Sequence, residues 1–278
     1  MARALARAGR SLVVYNRSRD RAEALAAELG ARVAATPAEV AGATDVCLTM
    51  VADDEAVRAI YFGADGILAG VREGSVVVDL STVTPSTIRS LEGTARAAGA
   101  GILDSPVSGS VATAESGQLM LMVGGEAADL ERARSALDPL AKTIFHVGPL
   151  GSGAAMKLAV NTVIFGLNGA LAEGLVLAEA AGVDRTLAYD VIAASAVGAP
   201  YVGYKRAAFL EPDTTPTAFA LELAEKDLGL ITDLAERVGV PTPQARTNLD
   251  VIRAAEADVG RDADFSAIAS HLRGQTPS

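Results

Sequence analysis

Gly148-Pro-Leu-Gly-Ser-Gly-Ala-Ala-Met-Lys157-Leu-Ala-Val-Asn161 is a glycine-rich turn that runs straight into an apolar segment, Leu158 to Ala181, of helical length and without proline. Lys157 and Asn161 are four residues apart, so on a helix they stand on one face, one turn from each other. Around them Ala154, Ala155, Ala159, Val160 and Val163 are small and apolar. A lysine in such surroundings loses hydration, which lowers its pKa and suits it to proton transfer near neutral pH. Asn161 supplies a neutral donor and acceptor to orient the lysine or a substrate. The competing reading is a lysine snorkelling to solvent beside a solvated amide, and the sequence on either side has to decide between them.

On the amino-terminal side, short β-branched runs alternate with helical segments. Strands are expected at Ser11–Tyr15, Arg32–Ala34, Asp45–Met50, Ser75–Leu80, Gly101–Asp104, Leu119–Val123 and Thr143–His146. Helices are expected at 2–9, Arg19–Leu29, Pro37–Ala41, Glu55–Tyr61, Pro85–Ala98 and Ala127–Leu140. This alternation predicts βαβ units and a parallel, doubly wound sheet. On the carboxy-terminal side the strands stop. Ala154 to Leu272 is helical in pattern, broken at Gly182, Gly198–Pro200, Glu211–Pro216 and Gly239–Pro243. The reading is an α/β, Rossmann-type nucleotide-binding domain over residues 1–148 followed by an all-helical domain over 149–278.

The bulk composition excludes several classes. Half of the 278 residues are hydrophobic but only 4% are aromatic, with no Trp, so the expected core is built from Ala, Val, Leu and Ile. The formal net charge of −10 argues against nucleic acid or an anionic membrane as partner. One cysteine, Cys47, leaves neither an intrachain disulfide nor a cysteine metal cluster. The amino terminus lacks the continuous apolar region of a signal peptide. No apolar run is expected to span a membrane, because Leu158–Ala181 carries Asn161, Asn168, Glu173 and Glu179. A cytoplasmic location is the expectation.

Further motifs lie at the ends of the expected strands, where open α/β sheets bind ligands. In a dinucleotide-binding fold the residues after the second strand choose between the ribose hydroxyl of NAD and the 2′-phosphate of NADP. Val14-Tyr15-Asn16-Arg17-Ser18 offers an amide, a guanidinium and a hydroxyl there, and no acid. That favours NADP(H), with NAD(H) possible; a polar turn capping the next helix is the alternative. Asp104-Ser-Pro-Val-Ser108-Gly109-Ser110 precedes the small-residue segment Ala112–Gly117, where backbone amides and a serine hydroxyl can be presented to a carboxylate. Asp79-Leu-Ser81-Thr82 ends another strand, and Glu225-Lys226-Asp227-Leu228 falls within a long helix, where a solvated charge cluster is the competing reading. Asp53-Asp54-Glu55 reads as helix N-terminal charge rather than a metal site, and no metal is expected. Neither His146 nor His271 is well placed, which leaves Lys157 as the acid/base candidate.

Together these stretches resemble the β-hydroxyacid dehydrogenase family, which includes 3-hydroxyisobutyrate dehydrogenase and the glyoxylate/succinic semialdehyde reductases. The matching segments are Val14–Ser18, Thr49–Ala52, Asp79–Thr82, Asp104–Gly125, Gly148–Asn161 and Lys226–Leu228, in the family's order and over nearly the whole chain. The resemblance implies a nicotinamide-dependent oxidoreductase acting on a small hydroxy acid or its semialdehyde. Lys157 would be the catalytic lysine and Asn161 its support. Ser108 and Gly109, with Ser110 beside them, would hold the substrate carboxylate. Val51, Ala52 and Thr82 would line the cofactor, and Lys226 would reach it from the helical domain. The family often has Leu-Pro where this chain has Val51-Ala52, and a second Gly where it has Ser110; the latter change would narrow the substrate pocket. Tyr204, Lys205 and Phe219 are expected near that pocket. The helical domain implies a homodimer or higher homo-oligomer.

One departure is larger. The family opens with a strand and a G-x-G-x-x-G turn that receives the cofactor pyrophosphate at a helix N-terminus, and Met1–Gly9 matches only the end of the helix that follows. The Rossmann-type sheet is therefore expected to be N-terminally truncated, without a strand from its middle, so that both neighbours of that strand expose backbone edges. The expectation is a start assigned too late, at an internal Met, and weak cofactor binding by residues 1–278 as they stand. An intact mass from the native host matching Met1–Ser278 would sink that idea. Two other readings use the same architecture. An imine reductase is disfavoured by Lys157, since those enzymes tend to carry another residue type there. A non-catalytic dimeric protein is disfavoured by the joint presence of Lys157, Asn161, Ser108 and Lys226.

Overall fold

The computed structural model describes residues 1–276. The chain divides into two compact units, Met1–Lys157 and Leu158–Ser278. The first unit contains, in order, α1 (Ala2–Arg7), β1 (Val13–Val14), α2 (Arg19–Leu29), β2 (Arg32–Val33), α3 (Pro37–Ala43), β3 (Val46–Thr49), α4 (Asp54–Tyr61), α5 (Ile67–Gly70) and β4 (Val76–Asp79). It continues through α6 (Pro85–Ala97), β5 (Gly101–Asp104), β6 (Val107–Ser108), α7 (Val111–Glu115), β7 (Leu119–Gly125), α8 (Ala127–Leu137) and β8 (Ala141–Gly148). Helix starts follow local chemistry: the side chains of Thr36, Asp53 and Thr84 accept from the third residue beyond them, and Pro37 and Pro85 occupy first turns. Asp53 thus serves as a helix cap, as its sequence position suggested. Two short helices, α5 and α7, were not expected, because four or five residues are too few to show a 3.6-residue period.

The sheet is in two pieces. β1 pairs with β2 in a separate parallel ribbon, while β3, β4, β5, β7 and β6 follow one another in a second sheet that β8 joins through β7. The order β2-β1 and β3-β4-β5 is the doubly wound order with β1 and β3 not joined to each other. Among the described residues, α1 supplies contacts there: its Ala4 and Leu5 pack with Leu12, Leu48 and Leu140. The expectation of an all-parallel sheet needs correction. β3, β4 and β5 are parallel, but β7 runs antiparallel to both β5 and β6. Between β5 and β7 the chain has only the strand β6 and the five-residue α7, whereas a parallel return needs a full crossover helix. α8 provides one, and β7 and β8 are parallel.

Alternate side chains of the strands build two cores. Cys47, Val77 and Ile102 pack with Val57, Tyr61, Ile88 and Leu91 of α4 and α6. Val76, Val78 and Leu103 pack with Leu130, Ala133 and Leu137 of α8. This is the three-layer arrangement that β-strands buried on both faces require.

A long helix, α9 (Ser152–Ala180), leaves the first unit and enters the second, where α10 (Arg185–Ala194), α11 (Pro200–Leu210), α12 (Leu221–Val238), α13 (Pro243–Val259) and α14 (Ile268–Gln275) follow. Leu158, Phe165, Ala172 and Leu175 of α9 pack with Tyr189, Phe209, Leu228, Ile252 and Phe265. By length and hydropathy alone α9 could cross a membrane, contrary to the count of its polar residues. Asn161, Asn168 and Glu179 are bonded within the helical unit, while Glu173 is exposed. Asn168 accepts from the Tyr201 hydroxyl (2.6 Å) and donates to the Phe265 carbonyl (3.1 Å), and Glu179 pairs with Arg185 and Arg273. Lys205, expected near the substrate, instead lies buried in an ion pair with Asp264 (2.7 Å). Burial would raise the Asp264 carboxyl, but Lys205 and the amides of Ser266 and Ala218 hold it below its usual range. Phe219 packs against Phe165 and Phe265, and Tyr204 is exposed against Tyr201.

Candidate active site

In the first unit, every expected ligand-binding residue up to Ser110 follows the carboxyl end of a strand. Asn16–Ser18 follow β1, Val51 and Ala52 follow β3, Thr82 follows β4, and Ser108–Ser110 come after β5. The last residues of three adjacent strands are registered side by side: Thr49 pairs with Asp79, and Asp79 with Asp104. All three are buried. The Thr49 hydroxyl donates to Asp79 Oδ2 (2.6 Å) and lies 2.8 Å from the Tyr61 hydroxyl. The Ser81 amide donates to Asp79 Oδ1 (2.9 Å), and Ser81 Oγ accepts from the Val51 amide (2.9 Å). Burial pushes the Asp79 carboxyl above its usual range, and the bonds from Thr49, Ser81 and Tyr61 pull it back. This network ties the loop of Val51 and Ala52 to the loop of Ser81 and Thr82, so the two segments expected to line the cofactor are fixed to each other.

At the end of β1 the three polar residues form an Asx turn: Asn16 Oδ1 accepts from the Ser18 amide (2.9 Å), and Ser18 is the N-cap of α2 without capping through its own side chain. Asn16, Arg17 and Ser18 are exposed. In the substrate loop, Ser108 sits on β6 opposite Met120 of β7, and Gly109 has a φ of 148°, which favours glycine. Ser110 has a different use: its Oγ accepts from Thr113 (3.3 Å) and caps α7. The expectation that Ala112–Gly117 presents open backbone amides also changes, because the amides of Ala114, Ser116 and Gln118 are bonded back within that short helix and its turn.

Along α9 the buried positions Leu158, Asn161, Phe165, Asn168, Ala172 and Leu175 recur every three or four residues. Asn161 is on that face, and Lys157, one turn earlier, is partly buried. In the helical unit Asn161 Nδ2 donates to Asp227 Oδ2 (2.7 Å), and Asp227 Oδ1 meets Lys226 Nζ (2.8 Å). Asp227 is only 3% exposed, so the cluster read as solvated charge is a built polar chain. Sequence reading passed over Asp227, although a signal was present: Ala224, Leu228, Ile231 and Ala235 mark the buried face of α12, and residue 227 falls on it. Glu225 belongs elsewhere, paired with Arg253 and Arg261. The histidines are structural in their contacts, His146 Nε2 with the Gly125 carbonyl (2.7 Å) and His271 Nδ1 with Asp258 (2.5 Å). Among the described residues no cluster of three metal-ligating side chains occurs.

Comparison with known proteins places both parts of the chain. The profile of the NAD binding domain of 6-phosphogluconate dehydrogenase matches residues 1–148, and that of the NAD-binding domain of NADP-dependent 3-hydroxyisobutyrate dehydrogenase matches residues 151–272. The chain is 34% identical to glyoxylate/succinic semialdehyde reductase 2 of Arabidopsis thaliana, a chloroplastic protein, over 98% of this chain and 76% of the relative. It is 31% identical to the cytokine-like nuclear factor N-PAC of Homo sapiens over 95% of this chain, which spans about half (47%) of that protein. The solved structure of Mycobacterium tuberculosis 3-hydroxyisobutyrate dehydrogenase with L-serine superposes with a TM-score of 0.85 at 32% identity, covering 98% of this chain and 94% of that one.

Proposed function

Because the chain belongs to the β-hydroxyacid dehydrogenase family of NAD(P)-dependent oxidoreductases, we propose that it interconverts a small β-hydroxy acid and its semialdehyde, with NADP(H) as the preferred cofactor and Lys157 as general acid/base. The observation that carries this reading is the chain in which half-buried Lys226 meets buried Asp227 and Asp227 in turn holds buried Asn161. A polar chain held in an apolar helix core costs desolvation, which makes sense where it orients groups for chemistry. The cofactor supplies hydride equivalents to the carbonyl carbon. Val51, Ala52 and Thr82 fit its nicotinamide end, being loops at strand ends fixed through Ser81. Asn16, Arg17 and Ser18 fit its adenosine end. Residues 1–278 contain no G-x-G-x-x-G turn for the pyrophosphate.

Ser108 and Gly109 hold the substrate carboxylate, the serine through its hydroxyl and the glycine through its backbone. The Lys157 ammonium donates a proton to the carbonyl oxygen as that carbon is reduced, and in the reverse direction the neutral amine removes it from the hydroxyl. Asn161, fixed by Asp227, orients the oxygen or the lysine. The test is NADPH and NADH oxidation with succinic semialdehyde, glyoxylate and methylmalonate semialdehyde, with a cyclic imine as the competing substrate class. It is run on residues 1–278 and on the same chain with a strand and G-x-G-x-x-G turn fused ahead, so that weak cofactor binding and a wrong substrate are told apart. Turnover of the imine alone, or of nothing in either form, overturns the reading.

Cofactor choice has its own test. Arg17→Ala is expected to raise the KM for NADPH about tenfold, the ~1.4 kcal/mol of one charged contact, and to leave that for NADH unchanged. Equal effects on both cofactors would remove Arg17 from the 2′-phosphate site.

We also place a homo-oligomer contact on α9. Val163 (71% exposed), Ala170 and Leu177 (72% exposed) are seven residues apart and form one apolar stripe opposite its buried face. Val163→Glu with Leu177→Glu should convert a dimer or larger oligomer to a monomer by light scattering. A wild-type chain already monomeric would end this assignment.

A further inference from the structure

We propose that Asp104 is a positioning residue that locks the start of α9 to the substrate loop and thereby presents Lys157 in register with Ser108 and Gly109; this rests on the assignment of Lys157 made above. The first N–H groups of a helix have no acceptor within it. Gly151 stands just ahead of α9, and its carbonyl accepts from the Ala155 amide (3.1 Å). The Asp104 carboxylate takes two of the orphan donors, the Gly151 amide at Oδ1 (2.8 Å) and the Ala154 amide at Oδ2 (2.6 Å). Asp104 is 1% exposed, and among the described residues no basic side chain forms an ion pair with it. Its countercharge is the positive end of a 29-residue helix. Burial pushes its carboxyl up and the two amides oppose that.

The helix start is seated hard against the strand ends. A side chain on Gly124, the β7 partner of Asp104, would collide with Asp104 Oδ1, and one on Gly153 would collide with the Met122 carbonyl. Lys157 comes three residues after Ala154, and Ser108 four residues after Asp104. Ser108 is itself pinned, since the Ser105 amide donates to the Asp79 carbonyl (2.6 Å) and β6 pairs with β7 through Val107–Leu121 and Ser108–Met120. One carboxylate therefore joins the two segments assigned to proton transfer and to the substrate carboxylate. Among the described residues no other buried carboxylate of the unit bonds to α9. Asp79 bonds to Thr49 and Ser81, and Asp129 to Arg96 and Arg132.

The test is Asp104→Asn, which keeps the shape and replaces one acceptor with a donor facing an N–H. A second variant, Ala154→Pro, removes the N–H from which Asp104 Oδ2 accepts while leaving the carboxylate in place, and proline is tolerated in a first helical turn. The expected result in both is a kcat at least about tenfold lower, as small misplacements of a reacting group produce. The cofactor Kd should stay within about twofold and amide exchange over residues 151–157 should speed up. Wild-type kcat in either variant, even with faster exchange or a lower Tm, or loss of the fold in both, overturns the proposal in favour of a merely structural cap. Lys157→Ala run alongside keeps the two readings apart. If that variant retains full turnover, the lysine assignment fails by itself; a normal Asp104→Asn beside an inactive Lys157→Ala rejects only Asp104.

Discussion

Lys157→Ala is expected to lower kcat by about a thousandfold, within the range that a general acid/base contributes, while NADPH binding measured by fluorescence stays within about twofold. The reason is positional. Lys157 stands one turn before the buried Asn161 on a helix whose start is clamped by Asp104, so its ammonium is held on a rigid element. Neither histidine can substitute, because His146 and His271 are engaged with Gly125 and Asp258. Lys157→Arg separates proton transfer from mere positive charge. Arginine keeps the charge but does not give up its proton near neutral pH, so this variant should be as inactive as the alanine. An arginine variant that turns over would make residue 157 an electrostatic anchor and would return the acid/base role to an unassigned group or to solvent.

The second large effect is expected at Asp227. Replacing it with alanine breaks its bonds to Asn161 and Lys226 together, and Asn161, 5% exposed, is left with an amide that solvent barely reaches. Loss of one hydrogen bond to a charged group costs about 2 kcal/mol, which as lost transition-state stabilisation is roughly a thirtyfold fall in kcat/KM. Asp227→Asn should recover part of it, since an amide oxygen can still accept from Asn161. The measurements are kcat/KM and Tm on both variants. A lower Tm with unchanged kcat/KM would show that the chain braces α9 against α12 and does nothing for the reaction.

How much of this was legible in the sequence depends on how far apart the interacting residues are. β5 was read at its observed limits, Gly101–Asp104, and α2 at its limits, Arg19–Leu29, because Gly30 and the polar residues ahead of Arg19 are punctuation within a few positions. Strand ends were overrun elsewhere, as at Ser11–Tyr15, where only Val13 and Val14 pair; an apolar run does not tell how much of it finds a partner. The order of motifs pointed to the family, and Lys157, Asn161 and the strand-end loops were all nameable from it.

By itself, then, the sequence determined the alternation of strands and helices, the change to an all-helical half, and the identity of the candidate acid/base, since each is written in contiguous residues. Only the tertiary structure decided three other things. β7 runs against β5 because the chain between them is too short for a parallel return. Lys205 and Asp227 share one helical pattern of charge among apolar neighbours, yet Lys205 is committed to Asp264 while Asp227 holds Asn161. Asp104 closes on the amides of Gly151 and Ala154. These pairs lie 47 to 66 residues apart, and a buried charge is tolerated only where such a distant partner arrives, which no local pattern records.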